Sequence, residues 1–265
     1  MSALVRAGTI PRERLATAAI ATVATGLVLA CAALVVSAFA DVWRAPALLP
    51  QRWGMRGFDV AFAGGRAASA LVTSLATATL TTAAALVLAW PAARVLGERR
   101  LRHPAAVFLL LAMPLLVAPY VVGVGLSEWF LRLDLAGTLV GLVLAHLVSV
   151  LPYAVLVLLS GFGPEVRALE EMGRAAGLSG WQRLRWVTVP ASRPTLAAAG
   201  LLSFLVSWSQ YGTSLAIAPT RPTLPVLLLP FLGSDPQVAA ALSLLFLAPA
   251  LLALALAVRS IRSAT

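Results

Sequence analysis

The sequence contains no lysine, although it has 20 basic residues, all of them arginine. A phosphate-binding P-loop needs a lysine that reaches the β- and γ-phosphates of a nucleotide. We therefore expect that the chain does not hydrolyse ATP itself. Its single cysteine, Cys31, cannot form an internal disulfide bond.

Histidine is almost as scarce, because His103 and His146 are the only two. Neither belongs to an HExxH motif or accompanies a cysteine pair, so the sequence predicts no metal site and no cofactor bound by this chain. His146 also has no acidic residue near it in sequence that would complete a Ser-His-acid set. We predict no catalytic residue.

Charged residues make up only 11% of the chain, whereas hydrophobic residues make up 60% and the mean hydropathy is +0.93. A soluble globular protein carries about 25% charged residues. Six apolar stretches are long enough to cross a hydrocarbon core, since about 20 helical residues span it. We predict an all-α membrane protein, with residues 1–265 forming one transmembrane domain and six helices at 15–40, 67–90, 105–129, 136–160, 195–218 and 237–258.

The arginines predict the orientation of these helices. If the amino terminus is cytoplasmic, 14 of the 20 arginines face inward, among them Arg99, Arg100 and Arg102. The positive-inside rule then places both termini in the cytoplasm. The net charge of +10 is scattered over short loops, which favours anionic lipid headgroups over nucleic acid as the partner.

One polar segment, Glu165 to Pro194, separates the fourth and fifth apolar stretches. Its first part predicts a short helix, because Val166, Leu169, Met172 and Ala176 recur at three- and four-residue spacing on one face. On the charged face we expect local pairs at the same spacing. These join Arg167 with Glu170 or Glu171, and one of the two acids with Arg174.

The second part of the segment predicts a tight turn and another short helix. Gly177 is placed to adopt the left-handed conformation that ends a helix. Ser179 and Gln182 have the spacing of a capping box, and Pro190 prevents simple continuation of the second helix. Trp181, Leu184 and Val187 share one side of that helix. From the residues alone, this segment is either a knob that docks on another protein or an amphipathic connector on lipid headgroups.

The spacing of Glu171, Gly177 and Pro190 resembles the cytoplasmic EAA loop of permease subunits in binding-protein-dependent ABC importers. In that family the loop inserts between the lobes of a cytoplasmic ATPase, so the resemblance implies a docking knob between helices 4 and 5, here called the coupling loop (161–194). The usual Ala-Ala after the acidic residue is Met172-Gly173 here. The implied ATPase-coupling residues are Glu170, Glu171, Arg174, Gly177, Ser179, Trp181 and Pro190.

The resemblance also implies the rest of the assembly. The chain would be a MetI-like permease subunit that forms half of a substrate pathway in the bacterial cytoplasmic (inner) membrane. Its partners would be ATPase subunits that bind ATP and Mg²⁺, a second permease subunit, identical or different, and an extracytoplasmic substrate-binding protein. Short segments at 73–75 and 223–225 also resemble the family. Residues 144–153 and 208–211 look closer to the thiamine, ferric-iron and polyamine branch than to sugar permeases.

The fifth apolar stretch is the richest in polar residues. Ser203, Ser207, Gln210 and Ser214 have a 4-3-4 spacing that places them on one helix face, which we expect to meet a cavity or another helix. His146 lies near the middle of the fourth stretch. For all five residues two interpretations stay open, namely contact with the substrate and hydrogen bonding between helices.

Proline divides two other stretches, at Pro114, Pro119 and Pro152, where kinks commonly shape pores. The alternative function is an ion-gradient-driven secondary transporter or channel, which would use intramembrane acids or histidines. Glu128 lies at the outer end of the third stretch and is spaced to pair with Arg132. No internal repeat, typical of many secondary transporters, relates the two halves of the chain.

Overall fold

A computed structural model describes residues 12–44, 46–97 and 103–262, and about 81% of the structure is helical. The helices are α1 Arg12–Ala38, α2 Arg56–Phe62, α3 Arg66–Gly97, α4 Pro104–Ala112, α5 Pro119–Arg132, α6 Leu139–Ser160, α7 Pro164–Ala175, α8 Gly180–Arg183, α9 Val189–Ala191, α10 Arg193–Ser209, α11 Gly212–Ile217, α12 Leu224–Leu228, α13 Phe231–Ser234 and α14 Pro236–Arg262. Short 3₁₀ turns occupy Ala63–Gly65 and Met113–Leu116, and a π-turn occupies Leu184–Thr188.

The helices are long and apolar enough for a membrane protein, which confirms the predicted all-α class. Within the described ranges, four candidate spans are Ala16–Ala38, Arg56–Gly97, Leu139–Ser160 and Pro236–Arg259. The number rises to as many as six if each of two bent helix pairs counts as one span. These pairs are Ala105–Leu116 with Pro119–Arg132, and Gly180–Ala191 with Arg193–Ser209. Much of the surface of α1 and α14 is exposed and apolar, as lipid contact requires.

The third predicted span, 105–129, is not one continuous helix. Ala105–Leu116 and Pro119–Arg132 meet at an angle of 96°. The two residues between them, Val117 and Ala118, are extended, with ψ of 132° and 135°. Proline disfavours the helical conformation of the residue before it, so Pro119 explains the extended Ala118. Pro152, in contrast, lies inside α6 without ending it.

The fifth predicted span, 195–218, is also interrupted. α10 ends at Ser209, Gln210 has an extended ψ of 110°, and a separate short helix begins at Gly212. At this point the two broken spans touch, because a Cβ on Gly212 would lie only 3.0 Å from the backbone nitrogen of Tyr120. The glycine permits a contact between backbones that a larger residue would prevent.

The centre of the fold is the packing of α3 against α6 and α10. Small side chains of α3, Ala85, Ala89 and Ala93, are fully buried beside Val150 and Ala154 of α6. Small residues let helix backbones approach closely, which supplies van der Waals contact where lipid gives no hydrophobic driving force between helices.

The two short family-like segments, 73–75 and 223–225, contact each other. The backbone N–H of Leu224 donates a hydrogen bond of 2.8 Å to the Ser74 hydroxyl, and both residues are buried. Because Ser74 belongs to α3, this bond attaches the start of α12 to the central helix.

An ion pair closes the end of the bundle opposite the coupling loop. Here a short hairpin, β1 Ala40–Val42 with β2 Arg52–Trp53, precedes α2. Arg56 of α2 donates to Asp235 over 2.6 Å, and Asp235 in turn accepts a 3.3 Å bond from the N–H of Val238 in the first turn of α14. The hydrogen bond from Arg56 holds the pKa of the Asp235 carboxyl below its usual range.

We predict that Asp235→Ala lowers the free energy of unfolding by about 1 kcal/mol, the usual cost of losing a helix cap. Asp235→Asn keeps a capping oxygen but loses the ion pair, so its cost should be smaller. A lowered pKa stabilises the fold above the unfolded-state pKa of the carboxyl, and this contribution disappears as the pH falls through the folded-state value. Thermal unfolding in detergent should therefore separate wild type from Asp235→Asn at neutral pH but not in acid. A difference that is the same at both pH values would contradict the assignment.

Candidate functional site

The first helix of the coupling loop ends in the predicted left-handed turn. Gly177 has φ of +81°, and two backbone hydrogen bonds of 3.0 Å close the turn, from Gly177 to the Arg174 carbonyl and from Leu178 to the Gly173 carbonyl. This pair of bonds is the Schellman motif. The predicted end of α7 is confirmed.

The predicted capping box is also present. The Ser179 hydroxyl accepts from the N–H of Gln182 at 3.3 Å, and the Gln182 side-chain oxygen accepts from the N–H of Ser179 at 2.8 Å. Pro190 does not end the second helix at once. Instead, the helix widens into the π-turn before the proline and the chain bends by 71° into α10. The wide turn accommodates a residue that lacks an N–H and crowds the preceding turn.

Gly173, which replaces an alanine of the family pattern, is buried inside the coupling loop. A Cβ at this position would lie 3.4 Å from side-chain atoms of Leu178 and Arg183 and 3.5 Å from Val187. These are ordinary van der Waals distances, so alanine would fit here. At this position, the packing of the loop accepts either glycine or alanine.

The coupling loop carries an exposed apolar groove of about 540 Å³. Leu169 and Met172 of α7 and Ala176 directly after it form one side, as the helical spacing predicts, and Trp186 and Pro190 lie on the other. Met172 is 59% exposed and Trp186 is 68% exposed. Trp181 of α8, in the same loop, is also exposed. Large apolar side chains in this position provide a surface on which a partner can dock.

The charged residues of α7 do not form the local pairs expected from their spacing. Glu170 instead forms an ion pair of 2.7 Å with Arg94 of α3 and accepts a 2.5 Å hydrogen bond from Thr188. Arg167 donates to the carbonyl of Gly97 at the end of α3. Glu171 and Arg174 are exposed. The sequence could not reveal the Glu170 contact, because its basic partner is 76 residues away.

The predicted pathway residues meet at a polar junction between α6, α10 and α11. His146 is buried, and its Nδ1 and Nε2 each lie 2.9 Å from a serine hydroxyl, of Ser207 and Ser214 respectively. Ser214 donates its own hydrogen to the Gln210 carbonyl at 3.0 Å. This arrangement suits a neutral ring in which Nε2 donates to Ser214 and Nδ1 accepts from Ser207.

The break in the fifth span means that the four polar residues do not share one continuous helix face. Ser203 and Ser207 lie on α10, Gln210 lies in the break, and Ser214 lies on α11. The hydroxyl of Ser203 is buried without a hydrogen-bond partner among the described residues. Thr213, which the spacing argument missed, donates to the Pro119 carbonyl at 2.9 Å and so joins the two broken spans.

A cavity of about 410 Å³ opens where the two spans break. Of the predicted pathway residues, Gln210 lines it, whereas Ser207, Ser214 and His146 lie behind it in the packed junction. The predicted pathway residues did not include the hydroxyl-bearing residues of the wall, which come from α5, α6, α10 and the break after α10. They are Tyr120, Ser149, Tyr153, Ser209 and Tyr211. Pro114 and Pro119, which flank the first break, were the available signal.

In the part of the chain that the structure describes, no group of three or more His, Cys, Asp or Glu side chains could hold a metal ion. The absence of metal chemistry stays a prediction.

The sequence of the chain is similar to those of three named proteins. ABC transporter permease protein ORF1 of Streptomyces antibioticus is 33% identical over 201 residues, which cover 71% of this chain and 82% of the relative. Molybdenum transport system permease protein ModB of Mycobacterium tuberculosis is 31% identical over 205 residues (69% and 76%). Molybdate/tungstate transport system permease protein WtpB of Thermococcus kodakarensis is 27% identical over 165 residues (62% and 66%). No family model matches the chain.

We predict that His146→Leu lowers the thermal stability of the purified protein. It leaves the buried Ser207 hydroxyl without its partner, at a cost of about 1–3 kcal/mol, and removes one of the two hydrogen bonds of Ser214. Ser207→Ala is the matched single change, and the double variant should lose less than the sum of the two because the residues interact. Differential scanning calorimetry in detergent measures these differences. An unchanged melting temperature with loss of transport would contradict a packing role and favour substrate contact.

Proposed function

The chain belongs to the permease subunits of ABC transport systems, and on that basis we propose that it forms half of a translocation pathway coupled to a cytoplasmic ATPase through residues 161–194. It is a multi-pass membrane protein of an importer. The ion-gradient-driven alternative has no support from its relatives.

The coupling loop carries this proposal. Its helix, left-handed turn and capped second helix form a compact unit, and its exposed groove offers Met172 and Trp186 to a partner. The Schellman turn fixes the direction in which α8 leaves α7. We assign ATPase coupling to Glu171, Arg174, Gly177, Ser179, Trp181 and Pro190 on these grounds, and treat Glu170 separately below.

The proposed topology has six spans, counting the bent α4–α5 pair as the third and the interrupted α10–α11 segment as the fifth, with both termini in the cytoplasm. The arginines of the coupling loop, including Arg167, Arg174 and Arg185, collect at one end of the bundle together with Arg94. Positive charge on one side favours that side as the cytoplasm. Arg99, Arg100 and Arg102, which entered the same argument, lie outside the described residues.

The remaining parts of the transporter follow from membership of an ABC system. We place ATP and Mg²⁺ on partner ATPase subunits and no cofactor on this chain. A second permease subunit, identical or different, would complete the pathway, and an extracytoplasmic binding protein would deliver the substrate. The proposed location is the bacterial inner membrane, as one transmembrane domain.

For the substrate we propose a tetrahedral oxyanion of the molybdate or tungstate type. Of the three relatives, one is named for molybdate and tungstate and one for molybdenum, and none is named for thiamine, ferric iron or a polyamine. The resemblance of residues 144–153 and 208–211 to the thiamine, ferric-iron and polyamine branch therefore gains no support from them. The cavity fits the proposal because Tyr120, Ser149, Tyr153 and Gln210 supply neutral hydrogen-bond donors. No carboxylate appears among the described residues that line it. Such a wall offers hydrogen bonds without repelling an anion.

The proposed function predicts ATP-dependent uptake of molybdate or tungstate by vesicles that contain the permease, its ATPase and its binding protein. Trehalose serves as the neutral control, and a pH or sodium gradient without ATP should drive no uptake. Transport by the chain alone under such a gradient would overturn the function. Uptake of trehalose in place of the oxyanions would overturn only the substrate class.

We predict that Gly177→Val impairs uptake while the protein still reaches the membrane. Gly177 has open space around its Cα, so the expected defect comes from the backbone conformation, which costs a residue with Cβ about 1–2 kcal/mol. Gly177→Asn is the matched control, because asparagine tolerates the left-handed region better. Uptake and ATP hydrolysis are measured together. Wild-type transport by Gly177→Val would count against the coupling role of the turn.

A further inference from the structure

Two acidic residues stand side by side in α7, but the structure gives them different surroundings. Glu171 is exposed, whereas the side chain of Glu170 is only 15% exposed. Its Oε2 lies 2.7 Å from Nη2 of Arg94, and its Oε1 lies 2.5 Å from the hydroxyl of the buried Thr188. Both carboxylate oxygens are thus bonded inside the protein, to residues of two different elements.

This arrangement differs from an ordinary surface ion pair. In the Glu128–Arg132 pair of α5 the two side chains are 72% and 65% exposed and belong to one helix, so the pair joins nothing beyond that helix. Exposed pairs of this kind contribute little. Glu170 instead connects α7 to α3 and, through Thr188, to the π-turn. We call Arg94, Glu170 and Thr188 the clamp.

A second contact supports the clamp at the same place. Arg167 lies one helical turn before Glu170, on the same face of α7, and donates to the carbonyl of Gly97 at the end of α3. The last carbonyls of a helix have no partner within it, and a cation there also complements the helix dipole. Next to this contact, Phe162 packs edge-on against Trp90 of α3, with ring centroids 5.0 Å apart.

The helix held by the clamp leads to the substrate pathway. α3 is continuous from Arg66 to Gly97 and packs against α6 and α10, which contribute Ser149, Tyr153 and Ser209 to the cavity wall. Near its other end α3 holds the start of α12 through Ser74. A displacement of its clamped end, which lies just beyond Pro91, is therefore passed through α3 and its packing to the two helices that line the cavity.

We propose that Glu170 is a positioning residue that fixes the coupling loop to α3, so that movement of the loop under a docked ATPase displaces α3 directly. Glu171 faces outward for contact with the ATPase, and Glu170 faces inward for transmission. This inference rests on the proposed function. It assigns binding of the ATPase to Glu171 and transmission of the movement to Glu170.

The test uses the complete transporter in vesicles, with the ATPase subunits and ATP inside and molybdate-loaded binding protein added outside. Glu170→Gln and Arg94→Gln break the ion pair, and Glu171→Gln is the matched neighbour. The expected result for both clamp variants is that ATPase subunits still bind the permease. Uptake per ATP hydrolysed should then fall by at least about fivefold, the lower end of typical coupling between sites. The double variant Arg94→Glu with Glu170→Arg should recover part of the loss.

Two results would overturn the inference. The first is that Glu170→Gln weakens ATPase binding as much as Glu171→Gln, with no recovery on charge reversal, since Glu170 would then contact the ATPase. The second is unchanged uptake per ATP in both clamp variants. If Glu170→Gln fails to reach the membrane, Thr188→Val, which removes one hydroxyl donor, must show the same loss of coupling. Absence of ATP-driven uptake in the wild type would instead refute the proposed function.

Discussion

Every backbone N–H and C=O that enters the hydrocarbon core must find a partner inside the protein, and this constraint organises the fold. An unbroken helix without an internal proline, such as α1, meets it alone. The α4–α5 and α10–α11 spans do not, so their breaks lie against each other. Thr213 supplies a hydroxyl to the Pro119 carbonyl, and Ser214 supplies one to the Gln210 carbonyl. Both carbonyl-bearing residues also line the cavity, which lies where the two breaks meet.

The central helix α3 packs against α6 and α10, and α10 ends at one of the two breaks. Its alanines allow α6 and α10 to pack closely, and its ends hold two different parts of the chain, the start of α12 and the coupling loop. The coupling loop and the cavity are therefore separate in sequence, but α3 connects them, because it holds the loop and packs against two helices of the cavity wall. This geometry suits a permease, in which a reaction on another subunit has to move the helices around the substrate pathway.

The sequence predicted those features that depend on residues a few positions apart. The Gly177 turn, the Ser179–Gln182 capping box and the Glu128–Arg132 pair are all of this kind. It did not predict the breaks as breaks, although Pro114 and Pro119 indicated one of them, because an apolar stretch with prolines or serines is compatible with a bent or a straight helix. The Glu170–Arg94 pair could not be predicted from the sequence, because selecting Arg94 among several arginines as the partner of Glu170 requires knowing where α3 ends.

The position of α1 has a consequence for assembly. Its contacts are with α14, around Ala38, Ala240 and Ala241, which are about 200 residues apart in the chain. On the ribosome the first of these helices is made long before its partner. It has to remain in the bilayer without this partner until α14 is made, which its exposed Ile20, Val23 and Leu27 allow. The contact between α1 and α14 then joins two helices that are made far apart in time.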